Sequence, residues 1–415
     1  MSRFVKLLVT CVLTAIGLQA QVQPTFFGMG VATTGDMPKV SYGTLSHPPV
    51  AWTNIEGAAR GKYNFKSMDA FVTKAPKDAN GVSLLVLDIG GWTPGWSVAD
   101  QTTCFHNKIG VVACTIGPDN IQDWIDYVTE VVAHYNGITA PHVKYYEIWN
   151  EMSNTKFWTG GVPEMVALAQ AAYPIIKTDP YATVLTPSVT WHNGINFMTQ
   201  FLQGGGYQYA EALSFHGYPS KTGGGVPLPV PLPESPLSTN APIVTMITTF
   251  RQLADDNGLL GKPLVTTEGG WGTNGVSDPD MQAAWIAHYE LLQAGLAVPN
   301  NLQFQTWYTW GQAFSGTIEN SSGQPTEAGL AYNLVYSWLL NQVPQPCTNT
   351  GNVFACTIGT KLAVWDTSQT CSNGVCTSSN YTAPTGFGHY VDLAGALHKV
   401  SGQIALGVKP ILLEP

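Results

Sequence analysis

Two short apolar segments each end in a glutamate, and together they could supply the pair of carboxyl groups that cleaves a glycosidic bond. Residues 145–149 lead into Asn150 and Glu151, and residues 263–267 lead into Glu268. Each segment is rich in β-branched or aromatic residues, which predicts a short buried strand. Glycoside cleavage requires one carboxyl group to protonate the leaving oxygen and another to attack the sugar or activate water. We therefore predict Glu151 and Glu268 as the catalytic residues.

Glu147 lies four residues before Glu151 and is a competing candidate for the first carboxyl group. Side chains alternate between the two faces of a strand, so Glu147, Trp149 and Glu151 share one face and alternation does not exclude Glu147. Its position deeper in the predicted barrel favours a role in packing or in a buried hydrogen-bond network.

The elements that must position these residues follow a βα rhythm. Apolar β-type runs alternate with helix-like stretches eight times, which predicts an α/β fold, a closed (β/α)8 TIM barrel. No Gly-x-Gly-x-x-Gly follows the first strand, so an open dinucleotide-binding sheet is disfavoured. Strands are predicted near residues 27–31, 40–45, 83–89, 143–149, 183–187, 212–216, 264–267 and 302–308, and helices over 121–135, 164–176, 243–257, 280–294 and 326–341.

Two long segments interrupt this rhythm, residues 92–118 after the third strand and the Pro- and Gly-rich residues 219–240 after the sixth. Both leave from the strand ends at which barrel active sites are built. Long loops of this kind are often functional, which favours a role as walls of a substrate cleft, but a Pro-rich loop can also be a simple spacer.

The two ends of the chain differ from the barrel. Residues 1–20 carry Arg3 and Lys6 before an apolar run, which is typical of a secretory signal peptide. The barrel is assigned to residues 21–342. From about residue 345 the helical rhythm stops, and residues 343–415 are predicted to form a small β-rich, sandwich-like domain that packs on the barrel. The mature protein is expected to be secreted or periplasmic, without a membrane span, and monomeric.

Cysteine spacing agrees with export. Cys11 lies in the expected signal peptide, and the other six cysteines fall into close neighbours, Cys104 with Cys114, Cys347 with Cys356 and Cys371 with Cys376. We expect three local disulfides, although six cysteines allow 15 pairings. The absence of Cys-x-x-Cys makes a metal site the weaker interpretation.

The composition of the chain disfavours some classes of binding partner and favours others. The net charge is −9 and only 11% of residues are charged, which disfavours nucleic acid. The chain has 13 Trp and 17 Tyr, which suit stacking on sugar rings, although most aromatic residues of a folded protein belong to its core. No Gly-x-Ser-x-Gly, phosphate-binding loop or His-Glu-x-x-His is present, and we predict neither a cofactor nor a metal.

Trp149-Asn150-Glu151 after the fourth strand and Glu268 after the seventh resemble the signature of the clan A glycoside hydrolases. Within that clan the chain most resembles family 39, a β-xylosidase-like family, on residues 52–56, 61–65 and 93–97. The resemblance extends over about residues 27–340. It departs from the family pattern at residues 269–271, where Gly-Gly-Trp follows Glu268.

The resemblance implies individual roles. Glu151 would be the general acid and then base, with a raised pKa, and Glu268 the nucleophile. Asn150 would hydrogen-bond the sugar 2-hydroxyl, and His216 and Tyr218 would contact the nucleophile and the substrate. Three tryptophans are further candidates for substrate binding: Trp310 as a stacking platform, Trp96 and Trp271.

These residues predict a secreted retaining hydrolase of β-linked polysaccharides or oligosaccharides, with xylosides favoured. Retention requires carboxyl groups ~5 Å apart, and inversion requires ~6.5–9.5 Å. Two alternatives remain: a glycan-binding barrel that has lost turnover, and a transglycosylase that uses the same residues.

Overall fold

The computed structural model describes residues 21–46, 51–220, 230–271, 275–311 and 317–415. The predicted signal peptide, residues 1–20, lies outside the described residues. So does the middle of the second predicted insertion, residues 221–229.

Eight parallel strands form the barrel, as the sequence predicts. The strands are β1 (Phe27–Val31), β2 (Thr44–Ser46), β3 (Ser83–Asp88), β4 (Val143–Glu147), β5 (Thr183–Leu185), β6 (Leu213–Gly217), β7 (Leu264–Gly269) and β8 (Leu302–Trp310). Their order in the sheet is β5-β4-β3-β2-β1-β8-β7-β6. A parallel bridge between Leu185 and Ala212 joins the two ends of the sheet. The sheet therefore closes on itself between β5 and β6.

Eight α-helices are present in the described part of the chain. They are α1 (Ala51–Ile55), α2 (Lys66–Lys74), α3 (Ile121–His134), α4 (Val162–Ile176), α5 (Trp191–Gln203), α6 (Ile243–Asp256), α7 (Pro279–Leu296) and α8 (Glu327–Leu339). The βα alternation is incomplete at one place, because residues 32–43 between β1 and β2 form turns and bends instead of a helix. Gly35 and Pro38 in this short segment both disfavour a helix.

Helix starts follow local side-chain chemistry. Asn120 accepts a hydrogen bond from the backbone N–H of Gln122 at the start of α3. Asp278 caps α7 through the N–H of Met281, and Pro279 occupies the first turn. These caps satisfy backbone donors that lack a partner within the helix, which explains why α3 and α7 begin where they do.

The barrel interior is filled with apolar side chains toward the amino ends of the strands. The cluster consists of Leu84, Val86, Tyr145, Leu185, Ala212, Val265 and Phe304, all buried. The rings of Tyr145 and Phe304 lie 4.9 Å apart. Because this end of the barrel is packed, substrate can approach only from the carboxyl ends of the strands.

The insertion after β3 is an ordered hairpin layer. Its three short strands are Thr93–Pro94, Cys104–His106 and Val112–Cys114, and the last lies between the other two. The Cys104–Cys114 disulfide joins paired residues of two of these strands.

Ten short strands follow the barrel, as predicted for a β-rich C-terminal region. They are β9 (Thr348–Thr350), β10 (Val353–Ile358), β11 (Lys361–Asp366), β12 (Cys371–Ser372), β13 (Val375–Cys376), β14 (Ser379–Thr382), β15 (His389–Val391), β16 (Leu397–Lys399), β17 (Gln403–Leu406) and β18 (Ile411–Glu414). Six of them form one antiparallel sheet, in the order β9-β10-β11-β18-β15-β16. Side chains of β17 pack on this sheet in a small apolar cluster.

The two remaining cysteine pairs, Cys347–Cys356 and Cys371–Cys376, are also disulfide-bonded in this region, so the nearest-neighbour pairing is confirmed. Among the described residues, no helix is both long enough and apolar enough to span a membrane.

Candidate active site

Glu151, His216 and Glu268 meet at the carboxyl ends of the barrel strands. Glu151 lies beyond the end of β4, and His216 and Glu268 are paired residues of β6 and β7. The pairing of β6 with β7 shifts register between Thr266 and Glu268. This bulge allows two consecutive residues of β7 to reach the barrel interior, Thr267 to bond Glu147 and Glu268 to reach the barrel mouth, which strict alternation would prevent.

A strained turn sets the direction of Glu151. Its φ of 40° lies in the left-handed region, which non-glycine residues adopt only when the surroundings hold them there. The backbone N–H of Glu151 donates to Ser188 Oγ (3.0 Å), and Ser188 also accepts from Met152 N–H through its carbonyl oxygen (3.0 Å). Asn154 Nδ2 donates to Glu151 Oε2 at 2.6 Å. Ser188, after β5, thus fixes the backbone of Glu151, and Asn154, in the loop after β4, fixes its carboxylate.

Glu268 is held by the residues that follow β6. The hydroxyl of Tyr218 donates to Glu268 Oε2 at 3.0 Å. Tyr218 is itself positioned by Asn240, whose Nδ2 donates to the Tyr218 carbonyl oxygen at 2.6 Å. The neighbouring Gly217 accepts a hydrogen bond from the buried Tyr289 hydroxyl on α7 (2.7 Å).

His216 lies between the two carboxylates. Its Nδ1 is 2.9 Å from Glu151 Oε1 and 3.5 Å from Glu268 Oε2. The His216 side chain is 0% exposed, whereas those of Glu151 and Glu268 are 12% and 14% exposed. One atom from each of the three residues lies within 4.8 Å of the others. The two carboxylates are therefore close enough to act on the same bound sugar.

These distances shift the pKa values of the three groups. Burial lowers the pKa of His216, but Glu268 and Glu151 outweigh it and raise the pKa to about 9. Burial, reinforced by the charge of Glu151, raises the pKa of Glu268 to about 7. Near neutral pH the imidazole is thus a cation, and Glu268 is close to its titration midpoint.

The expectation that Glu151 has a raised pKa is wrong for the free protein. Burial does raise the pKa of Glu151, but the hydrogen bond and the charge of His216 outweigh burial, and the net shift is downward. The sequence identified the carboxyl group of Glu151, but it did not show that the His216 cation would lie against that group.

Glu147 occupies a buried network below this site. Its Oε1 accepts from Thr267 Oγ1 at 2.9 Å and also from Ser214 Oγ. Its strand partner is Asp88, and burial raises the pKa of both carboxyl groups. Glu147 is 2% exposed, which agrees with the network role that the sequence favours over a catalytic one.

The structure does not support stacking roles for the predicted tryptophans. Trp310 is 0% exposed and Trp271 is 3% exposed, so neither presents a ring face to a sugar. Trp271 packs edge-on against Trp307, with ring centroids 5.1 Å apart. Their sequence positions suggested the strand lip, but both side chains belong to the apolar core, and Trp271 also packs edge-on against Trp285 of α7.

Trp96 is held by contacts with residues outside the site, and Asn150 is buried. Trp96 donates from Nε1 to the carbonyl oxygen of Glu56 (2.9 Å), and the Arg60 guanidinium lies 5.3 Å from the Trp96 ring centroid. These contacts place Trp96 against the region after β2, and no contact in the described residues links it to the carboxylates. Asn150 is 2% exposed and directly precedes Glu151 at the barrel mouth.

Tyr308 is a site residue that the sequence reasoning missed. Burial raises its pKa, and the charges of Glu268 and Glu151 add to the rise, which places the ring near both carboxylates. Its ring lies against Gly30 of β1, where an added Cβ would be 2.7 Å from Tyr308 Cδ2. Strand alternation could have revealed it, because the neighbouring Trp307 points into the core.

The same three groups could in principle hold a divalent ion, and one other cluster, Asp280 with Cys371 and Cys376, has metal-ligand spacing. The two cysteines are disulfide-bonded, so they offer no thiolate. A histidine ligand must be neutral, whereas the carboxylates around His216 favour its protonated form. The chemistry of the donors therefore favours an ion-paired histidine over a metal centre.

A surface groove of about 630 Å³ lies elsewhere, between α3 and α4, and includes His142 and Asp179. His142 precedes β4 and Asp179 precedes β5. The groove thus opens at the amino ends of the strands, away from the carboxylates.

The fold is shared with solved glycoside hydrolases. A family 39 glycoside hydrolase from the gut symbiont Bacteroides cellulosilyticus matches with a TM-score of 0.70 and 17% identity, over 95% of this chain and 81% of that one. A monomeric β-xylosidase from Caulobacter crescentus matches with a TM-score of 0.63 and 16% identity, over 95% and 97% of the two chains. A GH30 endoxylanase from Clostridium papyrosolvens matches with a TM-score of 0.57 and 14% identity, over 95% and 96%.

No protein-family model matches the sequence, and no curated protein matches it. At the identities of the solved structures, the likeness establishes the fold: a TIM barrel with a C-terminal β region, of the type found in family 39 and family 30 glycoside hydrolases.

Proposed function

We propose that this chain is a secreted glycoside hydrolase that cleaves β-linked sugars with retention, Glu268 acting as nucleophile and Glu151 as acid and base. The observation that carries the proposal is the closeness of the two carboxylates at the open end of the barrel, with oxygens within 4.8 Å of each other. This upper bound fits the ~5 Å of retaining enzymes better than the ~6.5–9.5 Å needed to admit an attacking water.

The resemblance to the clan A signature carries this division of roles, since hydrogen bonds stabilise the carboxylate forms of both residues. Tyr218 donates to Glu268, which stabilises the carboxylate form that a nucleophile needs. Glu151 follows Asn150 at the end of β4, as in the clan A signature. His216 contacts both carboxylates, and its charge determines where the proton of the pair resides.

The pair requires one proton for the reaction, and the pKa shifts of the free protein supply it. Glu268 titrates at about 7 and Glu151 well below, so the two together hold one proton in weakly acidic solution. In the free protein that proton lies mainly on Glu268. We propose that a bound sugar transfers it to Glu151, because the leaving oxygen then accepts from Glu151 while the anomeric carbon faces Glu268.

Comparison with the solved structures favours xylosides within the β-linked sugars. One of the similar structures is a β-xylosidase and another is an endoxylanase. Three disulfides favour an oxidising, extracellular location.

The first test measures sugar and aryl alcohol release from β-xylan, β-glucan, galactan and a set of aryl β-glycosides. We expect Glu268→Ala to lower kcat at least about 10³-fold on every substrate. Glu151→Ala should retain activity on aryl glycosides whose leaving group needs no protonation, and lose activity on natural glycans. Glu130→Ala, an exposed position on α3, is the control for substitution itself.

Added azide separates the roles. In Glu151→Ala it should attack the glycosyl-enzyme ester and give the β-glycosyl azide, whereas in Glu268→Ala it should attack the substrate and give the α-anomer. If both variants gave the same anomer, or neither were rescued, the assigned roles would be wrong. Glycan binding without turnover in the unmodified protein would instead identify a binding protein.

A further inference from the structure

A cluster of three aromatic rings lies at the lip of the barrel between the insertion after β3 and the loop after β4. The rings belong to Trp92, Phe105 and Phe157, and we call them the aromatic platform. Trp92 stacks on Phe157 with centroids 5.6 Å apart and an interplanar angle of 12°, and Phe105 meets Trp92 edge-on at 5.0 Å. Phe105 is 38% exposed, and the other two rings are partly exposed.

The platform is rigidly built although it is exposed. Gly91 has a φ of 91°, and a Cβ on Gly90 would lie 2.2 Å from the ring of Trp149, so the turn before Trp92 requires glycine at both positions. Trp92 Nε1 donates to the carbonyl oxygen of Lys156 at 2.9 Å. Phe105 lies on a paired strand next to the disulfide of Cys104. Rings held in this way lose little conformational entropy when a ligand covers them.

Short contacts connect the platform to Glu151. Asn154 donates from Nδ2 to Glu151 Oε2 (2.6 Å), and its carbonyl oxygen accepts from the backbone N–H of Phe157 (2.9 Å). The carbonyl oxygen of Phe157 accepts in turn from Trp149 Nε1 at 3.2 Å. The platform therefore belongs to the Glu151 side of the cleft.

Under the proposed function, on which this inference rests, Glu151 protonates the leaving oxygen, and its side of the cleft faces the leaving group. We propose that the aromatic platform binds sugar units of the leaving-group side of a β-linked glycan chain. The axial hydrogens of a β-linked pyranose form an apolar face that stacks on aromatic rings. The substrate class is therefore a chain with sugars on both sides of the cleaved bond, and not a single sugar on a small leaving group.

The test compares two substrates that share the donor sugar identified by the glycoside panel. One is its β-glycosyl fluoride, whose leaving group cannot reach the platform, and the other is the β-linked tetrasaccharide. Phe105→Ala and Trp92→Ala should each lower kcat/KM for the tetrasaccharide about 3- to 10-fold. Both should leave kcat/KM for the fluoride unchanged, and Phe105→Tyr should restore the tetrasaccharide value.

Ile109→Ala is the matched control, because Ile109 is 64% exposed in the same hairpin but is not part of the platform. Equal activity of Phe105→Ala and the unmodified protein on the tetrasaccharide would overturn the proposal. So would an equal loss on both substrates, which would identify a structural role, and so would a loss in Ile109→Ala matching that in Phe105→Ala. Glycosyl fluoride turnover that Glu268→Ala abolishes would keep the proposed function intact in each of these cases.

Discussion

At the scale of single residues, the charge of His216 is the main electrostatic feature of the site. The imidazole is fully buried, and its Nδ1 is within 3.5 Å of both carboxylates. A buried cation persists only when paired, and here two anions share it. It lowers the pKa of Glu151 and opposes the rise in the pKa of Glu268 caused by burial.

We predict that kcat/KM is highest in weakly acidic solution and falls as the pH rises through about 7. The active form needs one proton on the carboxyl pair, and the pKa of Glu268, about 7, is where that proton is lost. The measurement is kcat/KM against pH on an unactivated β-linked oligosaccharide, whose leaving oxygen needs protonation. His216→Asn should move the descending limb to higher pH, because loss of the cation raises the pKa of both carboxyl groups.

His134→Asn is the control for this experiment, since His134 pairs with Asp69 at the outer side of α3. An unmoved descending limb in His216→Asn, or the same displacement in His134→Asn, would show that His216 does not set the proton affinity of the pair.

At the scale of elements, the loops after the strands determine the shape of the cleft. The insertion after β3 folds as a hairpin layer in which the Cys104–Cys114 disulfide joins paired strand residues. A disulfide stabilises mainly by restricting the unfolded chain, and a loop of this length contributes about 2–3 kcal/mol. The constraint is local, because the barrel core lies in other segments.

We predict that the double variant Cys104→Ser/Cys114→Ser loosens this hairpin without unfolding the barrel. Lys108 is exposed between the two cysteines, so trypsin should cut there faster in the variant than in the unmodified protein. Mass spectrometry of the first fragments measures the site and the rate. Cys371→Ser/Cys376→Ser should leave the rate at Lys108 unchanged. An unaltered rate in the first variant would show that the disulfide does not hold the hairpin.

At the scale of the whole molecule, the C-terminal sheet reaches the loop that follows β6. Trp365 of β11 donates from Nε1 to Glu234 Oε1 (2.9 Å), and His288 Nδ1 of α7 lies 2.9 Å from the same oxygen. The rings of Trp365 and His288 stack with centroids 4.5 Å apart. Glu234 and Asn240 belong to one loop, and Asn240 bonds the carbonyl oxygen of Tyr218. The sheet thus supports the segment that holds Glu268.

We predict that Trp365→Phe lowers the free energy of unfolding by about 1.5–3 kcal/mol, because it removes a buried hydrogen bond to a charged group. Denaturant unfolding measures this change. The same variant should lower kcat more than it changes KM if the loop loses its position. Tyr390→Phe, where the lost hydroxyl belongs to a ring stacked on His398, is the control on the same sheet. Unchanged stability in Trp365→Phe would show that the contact contributes little.

Much of the fold follows from sequence pattern because strands and helices depend on the periodicity of neighbouring residues. The barrel strands lie where the apolar runs predict them, although the second is only Thr44–Ser46 where residues 40–45 are predicted. Close cysteine spacing likewise allowed the three disulfides to be predicted, since short loops close most readily. The catalytic pair, Glu151 and Glu268, remains a prediction, but its two members do meet at the barrel mouth.

Only the tertiary structure decided which side chains share a space. Trp310 and Trp271 are buried, while Tyr308 comes near the carboxylates, because exposure depends on which distant segments cover a residue. His216 contacts Glu151 through barrel closure between β5 and β6, which no local pattern encodes. The sequence alone determined the types of chemical group and their places on strands. The closed barrel determined their distances, and with them the proton affinities on which the proposed chemistry depends.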